Sequence, residues 1–137
     1  MAYARIVAAL PNAREAVIEQ RRLVEYVLDR DHPRNGGKAD AFAQLGFALD
    51  TLPQRARGAT DVERRLRAAL PGANAKDLPD RGYGPRWEVR APFSGPNGRT
   101  ATAVSYWQMD YGSDAPRLIT LWLEVHEMEV TDEGEAV

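Results

Sequence analysis

The chain has 137 residues, of which 44% are hydrophobic, enough to build the core of one domain. It contains no Cys, which excludes disulfides, thiolate catalysis and Cys-based metal sites and is compatible with a reducing compartment, so we expect a cytoplasmic protein. His32 and His126 do not give the spacing of a histidine metal site, and we expect no metal and no cofactor. No segment approaches the roughly 18 apolar residues of a membrane span, and we expect no membrane association.

Charge is distributed unevenly along the chain, although the net charge is only −2. Residues 1–100 hold 17 basic and 12 acidic side chains, whereas residues 101–137 hold 1 basic and 8 acidic ones. A basic body with an acidic end is typical either of nucleic-acid binding or of a solubilising terminus. Composition leaves both interpretations open.

The first third of the chain has the spacing of a helical hairpin. Residues 16–18 form a short apolar run that fits a strand, and residues 21–29 then show helical spacing. Pro33 ends this helix, because the residue before a proline is pushed out of the helical region. Residues 39–45 repeat the helical spacing until Gly46, which predicts a left-handed cap.

A third helix is predicted to begin at Thr60. Thr60 and Glu63 match a capping box, in which the hydroxyl and the carboxylate each satisfy a backbone amide at a helix start. An apolar face follows until Pro71, which ends the helix. Residues 74–85 are rich in Gly, Pro and Asp and predict a surface connection.

Three strands are predicted in the rest of the chain, the first two joined by the turn Gly95-Pro96-Asn97-Gly98. Apolar residues alternate with polar ones in each strand. The predicted buried residues are Trp87, Val89, Ala91 and Phe93 in the first strand, Ala101, Ala103, Ser105, Trp107 and Met109 in the second, and Ile119, Leu121, Leu123 and Val125 in the third. Leu118 is expected on the opposite face. Because Val104 interrupts the polar side of residues 99–109, the buried face of that strand is left open.

Helices followed by strands indicate an α+β fold, with N-terminal helices packed on one face of a C-terminal antiparallel sheet of three to four strands. We expect one domain over residues 1–137. Its helical part lies at about 10–72, its sheet part at about 83–128 and an acidic C-terminal tail at 129–137.

The sheet face that points away from the core is a candidate recognition surface. It gathers Arg86, Glu88, Arg90, Thr100, Thr102, Tyr106, Trp122, Glu124 and His126. Metal-free cleavage of RNA needs a proton acceptor, a proton donor and cations for the phosphate, and Glu88 or His126 with Arg86 or Arg90 fit these roles. A solvated sheet face normally shows alternating charges as well.

The loop from Asp31 to Lys38 is a second candidate site. It brings His32, Lys38 and two glycines to a helix start, where exposed amides bind phosphate or carboxylate groups. The spacing of a P-loop is absent. His32 is a candidate catalytic residue or a cap of the preceding helix, and Lys38 is a candidate catalytic residue or an exposed residue of the first turn.

Several motifs together resemble an uncharacterised family of small bacterial proteins. The motifs are Leu10-Pro11-Asn12-Ala13, Arg22-Leu23-x-x-Tyr26-x-Leu28, His32-Pro33-x-x-Gly36-x-Lys38-Ala39-x-x-Phe42, Gly95-Pro96-Asn97-Gly98-Arg99-x-Ala101, Ser105-x-Trp107 and Pro116-Arg117-Leu118. Similar domains form the C-terminal ends of large secreted polymorphic toxins. The resemblance implies a helices-then-sheet domain, comparable to the barnase, EndoU, colicin and RelE group of metal-independent ribonucleases.

The sequence is compatible with two functions, an interaction module and an RNA-binding or RNA-cleaving domain. The resemblance maps a family histidine-lysine loop onto His32 and Lys38 and strand arginines onto Arg99 and Arg117. Without a motif specific for a reaction, the sequence favours a non-catalytic interaction module that binds a protein partner or a second copy of itself through binding residues such as Trp122. The alternative is a toxin-type domain that binds or cleaves RNA, with a histidine as general base.

Overall fold

The computed structural model describes residues 8–126, in which helices precede a four-stranded antiparallel sheet of order β1-β2-β3-β4. The predicted α+β class is confirmed. The helical elements are α1 (Gln20–Arg22), a π-helical segment (Leu23–Val27), α2 (Lys38–Gln44) and α3 (Leu52–Ala69), with short 3-10 turns at Ala13–Glu15 and Leu70–Gly72. The strands are β1 (Ala75–Leu78), β2 (Arg86–Ser94), β3 (Thr100–Gln108) and β4 (Arg117–Val125).

The helical hairpin is present, with one change of helix type. The helix predicted over residues 21–29 begins as α1 and continues as the π-helical segment, in which Leu28 N–H donates to Leu23 O at 2.8 Å. Helix α2 ends before Gly46, which has φ of 98° and is the left-handed cap that the sequence predicted. No helix of the described residues 8–126 is long and apolar enough to cross a bilayer.

Helix α3 begins nine residues earlier than the sequence predicted. Its capping box is formed by Thr51 and Gln54, since Thr51 Oγ1 accepts from Gln54 N–H at 3.2 Å and Gln54 Oε1 accepts from Thr51 N–H at 3.1 Å. Thr60, the predicted cap, lies in mid-helix and donates to Ala56 O at 3.3 Å. The prediction at Thr60 was wrong because a similar motif stands upstream, followed by Pro53 in the first turn.

The core lies between the helices and one face of the sheet. The predicted alternation in β2 is confirmed, because Trp87, Val89, Ala91 and Phe93 are buried. The register with β3 places Ala101, Ala103, Ser105 and Trp107 on the same face. Ser105 is satisfied there, since it accepts from Trp107 Nε1 at 2.8 Å. Helix α3 packs on β2 and α2 packs on β4.

The opposite side of the sheet, which we call the outer face, carries the remaining residues of β2, β3 and β4. By register it consists of Arg86, Glu88, Arg90, Pro92, Thr100, Thr102, Val104, Tyr106, Gln108, Thr120, Trp122 and Glu124. The sequence left the buried face of β3 undecided, and the register places Val104 and Tyr106 on the outer face. Val104 is nevertheless fully buried.

A bulge in β4 reverses part of the predicted pattern. The register shifts between Tyr106, which pairs with Thr120, and Trp107, which pairs with Leu118. Ile119 is the extra residue, so Leu118 points to the core and is 3% exposed, whereas Ile119 is half-buried. The assignment of Leu118 to the outer face was therefore wrong, since strict alternation fails across a bulge.

Two segments differ from their predicted form at the sheet edges. Strand β1 lies within the predicted surface connection 74–85, where it pairs with β2 as far as Val89 and leaves Pro92 in the unpaired part of that edge. A proline is suited to this position because it has no N–H to donate. Residues 16–18 form no regular strand, and only Val17 pairs with Arg117, in parallel. The predicted tail 129–137 lies outside the described residues.

The two capping-box candidates can be separated by stability. We expect Thr51→Ala to lower the free energy of unfolding by about 1 kcal/mol, because the first turn of α3 loses an acceptor. The matched variant Thr60→Ala should change it by less than about 0.5 kcal/mol, since this hydroxyl bonds only within the helix. Urea denaturation of both variants measures the difference. A larger loss for Thr60→Ala would contradict the observed helix start.

Candidate functional site

A buried asparagine joins the first helix to the second. The Asn35 side chain is 1% exposed and donates to the carbonyl oxygens of Tyr26 at 2.7 Å and Val27 at 3.0 Å. Its Oδ1 accepts from Ala39 N–H at 2.9 Å. One side chain therefore caps the end of the π-helical segment and the start of α2, where helix ends leave backbone groups without partners. Tyr26 and Lys38 are held close together as a result.

Three polar side chains meet at this junction, and we call Tyr26, His32 and Lys38 the tyrosine cluster. Lys38 Nζ lies 5.3 Å from the centroid of the Tyr26 ring. The His32 ring packs edge to face on Tyr26 with ring centroids 5.0 Å apart. All three side chains are half-buried. The cluster thus brings together the two loop residues that the sequence predicted, around a tyrosine that it did not.

The charges around Tyr26 favour its ionised form. Partial burial opposes ionisation, but the Lys38 ammonium and the Thr120 hydroxyl beside the phenol, with the charges of Lys38 and Arg22, outweigh it. The pKa of Tyr26 is consequently lowered from its ordinary value. A phenol with a lowered pKa next to an ammonium group is suited to accept and return a proton.

Two buried polar atoms, from Arg22 and Thr120, lie beside the tyrosine cluster. Arg22 donates from Nη1 to Ile119 O at 3.1 Å, but its Nε is buried and unpaired. Thr120 Oγ1, on the next residue of β4, is also buried and lies beside the Tyr26 phenol, whose pKa it helps to lower. Since buried polar atoms are normally paired, the Arg22 Nε is the atom here whose hydrogen bonding is incomplete.

His32 presents a hydrogen-bond donor to the cluster. The backbone N–H of Arg34 donates to His32 Nδ1 at 3.0 Å, so the neutral ring carries its proton on Nε2. An open cavity of about 220 Å³ lies over this ring and is lined by Glu19, Arg21, Arg22, Glu25, Tyr26 and His32. The lining thus combines the N–H donors of His32 and of the Arg21 and Arg22 guanidinium groups with the carboxylates of Glu19 and Glu25.

The charged residues predicted on the outer face are paired with one another. Arg90 donates to Glu88 at 2.7 Å and to Glu124 at 2.8 Å. The hydrogen bond to Glu124 raises the pKa of Arg90 the most, and the hydrogen bond to Glu88 raises it further. Tyr106 and Trp122 pack edge to face with ring centroids 5.2 Å apart. The outer face therefore holds an ion network around Arg90, an aromatic pair, and Arg86, which is buried and has no ion pair among the described residues.

The other predicted site residues lie apart from the tyrosine cluster. His126 is exposed at the end of β4 and lies 3.0 Å from Thr102 Oγ1. Arg86 is buried, Arg99 donates to Gln44 O at 3.3 Å, and Arg117 donates to Asp110 at 2.7 Å. Hydrogen bonds from Arg117 and then Gln108 lower the pKa of Asp110. Each of these contacts links strands, turns or helices of the fold.

A larger groove lies away from Tyr26. It has a volume of about 1,070 Å³ and runs along the free edge of β2, lined by residues that include Lys76, Asp77, Glu88, Arg90 and Pro92. Arg90 is already paired there. Because reactive groups need perturbed pKa values and unsatisfied donors, we place the candidate site at the smaller cavity over the tyrosine cluster.

Sequence reasoning missed four residues of this site: Arg22, Tyr26, Asn35 and Thr120. Arg22 and Tyr26 appeared in the motif Arg22-Leu23-x-x-Tyr26-x-Leu28 of the family resemblance, which gave neither residue a role. Asn35 was treated as a loop residue. Thr120 carries no signal in the sequence, because its place beside Tyr26 depends on how β4 packs against the helices.

The fold and the site define an α+β domain in which a helical layer packs on a four-stranded antiparallel sheet and a polar cluster lies between the helices and the edge strand β4. The chain belongs to the family described as domain of unknown function (DUF6883), whose model matches residues 9–125. No curated protein sequence matches the chain.

A similar fold occurs in a solved structure titled contact-dependent growth inhibition toxin - immunity protein complex, from Klebsiella pneumoniae 342. The match has a TM-score of 0.55 at 19% sequence identity and covers 79% of this chain and 99% of that chain. At this identity the likeness shows the fold alone.

The lowered pKa of Tyr26 can be measured directly. We expect Lys38→Met to raise the pKa of Tyr26, because the phenolate loses its nearest ammonium group. An ultraviolet titration of tyrosinate, with Tyr26→Phe identifying the signal, measures the shift. The matched variant Lys76→Met removes the other lysine, which lies on β1, and should leave the titration of Tyr26 unchanged. An unchanged pKa in Lys38→Met would contradict the described electrostatics.

Proposed function

We propose that this domain binds RNA and cleaves it without a metal ion at the tyrosine cluster. The observation that carries the proposal is the meeting of Tyr26, whose pKa is lowered, with Lys38 and His32 beside the unpaired Nε of Arg22. These groups supply a proton acceptor, a proton donor and cationic donors in one place. They are the groups that a phosphodiester transfer needs.

RNA is the substrate class because its 2′-hydroxyl supplies the nucleophile. Attack of that oxygen on the adjacent phosphorus requires removal of its proton, stabilisation of negative charge on the phosphate oxygens and protonation of the departing 5′-oxygen. DNA lacks the 2′-hydroxyl and cannot react in this way. The predicted products are a 2′,3′-cyclic phosphate and a free 5′-hydroxyl.

Each residue of the site has a role in this reaction. Tyr26 accepts the proton of the 2′-hydroxyl once its own phenol is ionised, and the Lys38 ammonium beside it protonates the leaving oxygen. His32 Nε2–H and the Arg22 guanidinium donate to the phosphate oxygens as their charge grows. The sequence assigned the general base to a histidine, but the bond from Arg34 N–H to His32 Nδ1 favours a donor role for this ring.

The fold likeness and the charge distribution are compatible with the proposal. The neighbouring structure is titled as a complex of a growth inhibition toxin with its immunity protein, and this domain has the fold of one chain of that complex. Cleavage of cellular RNA is one activity that inhibits growth. Basic residues predominate in residues 1–100, which favours attraction of RNA to the domain.

A second candidate function, binding of a protein partner, is favoured by two exposed tyrosines. Tyr83 and Tyr111 are each 69% exposed. Tyr111 N–H donates to Tyr83 O at 2.9 Å, the Tyr111 hydroxyl bonds Asp80, and Asp80 accepts from Gly82 N–H at 2.7 Å. Rigid exposed tyrosines are typical anchors of protein interfaces. This surface lies on the β1–β2 and β3–β4 loops and is independent of the tyrosine cluster.

Cleavage can be tested with purified protein in the presence of a chelator. We expect the wild-type chain to cleave RNA and Tyr26→Phe and Lys38→Met to lose about 100-fold or more in rate, since general acid-base groups contribute about 10²–10⁴. An oligonucleotide with one 2′-deoxy position should resist cleavage at that position only.

The control for this experiment is the second histidine. His126→Gln alters a residue at the far end of β4 and should retain the wild-type rate, whereas His32→Gln should slow cleavage at least about tenfold. Absence of cleavage, or equal rates in the Tyr26, Lys38 and His126 variants, would overturn the proposal.

The protein-partner candidate is tested with the product of an adjacent open reading frame. We expect the two chains to co-purify after co-expression and Tyr83→Ser to weaken the complex at least about tenfold, as for an interface anchor. Arg57→Ala, on the exposed side of α3, serves as control. Equal binding by the wild type and Tyr83→Ser would show that this surface does not bind the partner. Light scattering of the chain alone measures whether it forms a dimer with a second copy of itself.

A further inference from the structure

A second cavity adjoins the tyrosine cluster through Lys38. It has a volume of about 390 Å³ and is lined by Gly36, Gly37, Lys38, Ala41, Trp122 and Leu123. This volume falls within the range of about 300–1,000 Å³ of small-molecule sites. Lys38 therefore belongs both to the tyrosine cluster, which we propose acts on a phosphate, and to this cavity, whose wall includes the indole of Trp122.

The indole of Trp122 is held in place before any ligand arrives. Its ring packs edge to face on Tyr106, with an interplanar angle of 65°, and its residue pairs with Val104 in the middle of the sheet. Trp122 is half-buried, in contrast to Trp87 and Trp107, which are buried. Trp122 is thus the tryptophan that offers ring surface to a ligand in the solvent.

The other wall of the cavity is backbone. Gly36 and Gly37 have φ of 60° and 88°, and a Cβ added to either residue would meet nothing within 4 Å. Space therefore remains open above both residues, and a flat group can approach the peptide planes of the turn. A flat ring between a peptide turn and an indole is the arrangement in which an aromatic ligand stacks.

We propose that this cavity holds an unpaired nucleobase of the RNA, stacked on Trp122, while an adjoining phosphate lies on Lys38. The inference rests on the proposed function and names its substrate class, single-stranded RNA. A base within a duplex has both faces covered by its neighbours and cannot enter the cavity without leaving the stack. Loops and single strands present free base faces, which aromatic side chains bind with little sequence preference.

The test uses a strand that binds but cannot react. The probe is a 2′-O-methyl RNA strand of mixed sequence, used alone and annealed to its complement, because the blocked 2′-oxygen prevents cleavage. We expect the single strand to quench tryptophan fluorescence in the wild type and to bind at least about fivefold more tightly than the duplex.

Variants of Trp122 assign the effect to this cavity. Trp122→Ala should weaken single-strand binding at least about fivefold and remove the preference over duplex, whereas Trp122→Phe, which keeps a stacking face, should retain most of both. Leu52→Ala, which removes an exposed apolar side chain at the start of α3, is the control and should bind as the wild type does. Thermal unfolding and circular dichroism establish that each variant is folded.

The outcomes separate this inference from the proposed function. If natural RNA is cleaved but Trp122→Ala binds the probe as tightly as the wild type, or if duplex binds as well as single strand, the base site is overturned and the cleavage proposal stands. If the probe binds through Trp122 but natural RNA is never cleaved, the base site stands and the cleavage proposal fails.

Discussion

The candidate site depends on the hydrogen bonding of one buried side chain. Asn35 joins the π-helical segment to α2 by bonding two carbonyl groups of the first and one N–H group of the second. A buried amide that lost these partners would leave polar groups unsatisfied at both helix ends, at roughly 1–3 kcal/mol for each group. The junction is therefore fixed, and with it the approach of Lys38 to Tyr26. A π-helical turn at a functional site is a recurring feature of proteins.

Charge pairing distinguishes the two surfaces that the sequence offered as candidates. On the outer face, Arg90 is shared between Glu88 and Glu124, so its charge is neutralised by the fold. In the tyrosine cluster, by contrast, Lys38 faces a phenol and Arg22 keeps one donor unpaired. A site for an anion needs cationic donors that are both unused and accessible. On the outer face Arg90 is paired and Arg86 is buried, whereas Lys38 is half-buried, and this criterion favours the cluster.

The proposed site has two halves that share one cation. Lys38 Nζ lies over the Tyr26 ring, and Lys38 also lines the cavity beside Trp122. The residues of the proposed catalytic part lie at the ends of helices and in the loop between them, whereas Trp122, which is proposed to bind the base, lies on the outer face of β4. A substrate that is bound by its base beside Trp122 is also held in position at the tyrosine cluster, and such positioning raises the reaction rate in addition to proton transfer.

Local patterns in the sequence predicted most of the helices and strands of this protein. Alternation identified the core face of β2, Gly46 marked the end of α2, and the loop that contains His32 and Lys38 was recognised as a candidate site. These features are local, because they depend on periods of two or 3.6 residues. The choice between Thr51 and Thr60 as the cap, the bulge at Ile119 and the pairing of Arg90 were decided only by tertiary structure. So was the meeting of Thr120 with Tyr26, since contacts between residues distant in sequence follow from packing, which no local pattern records.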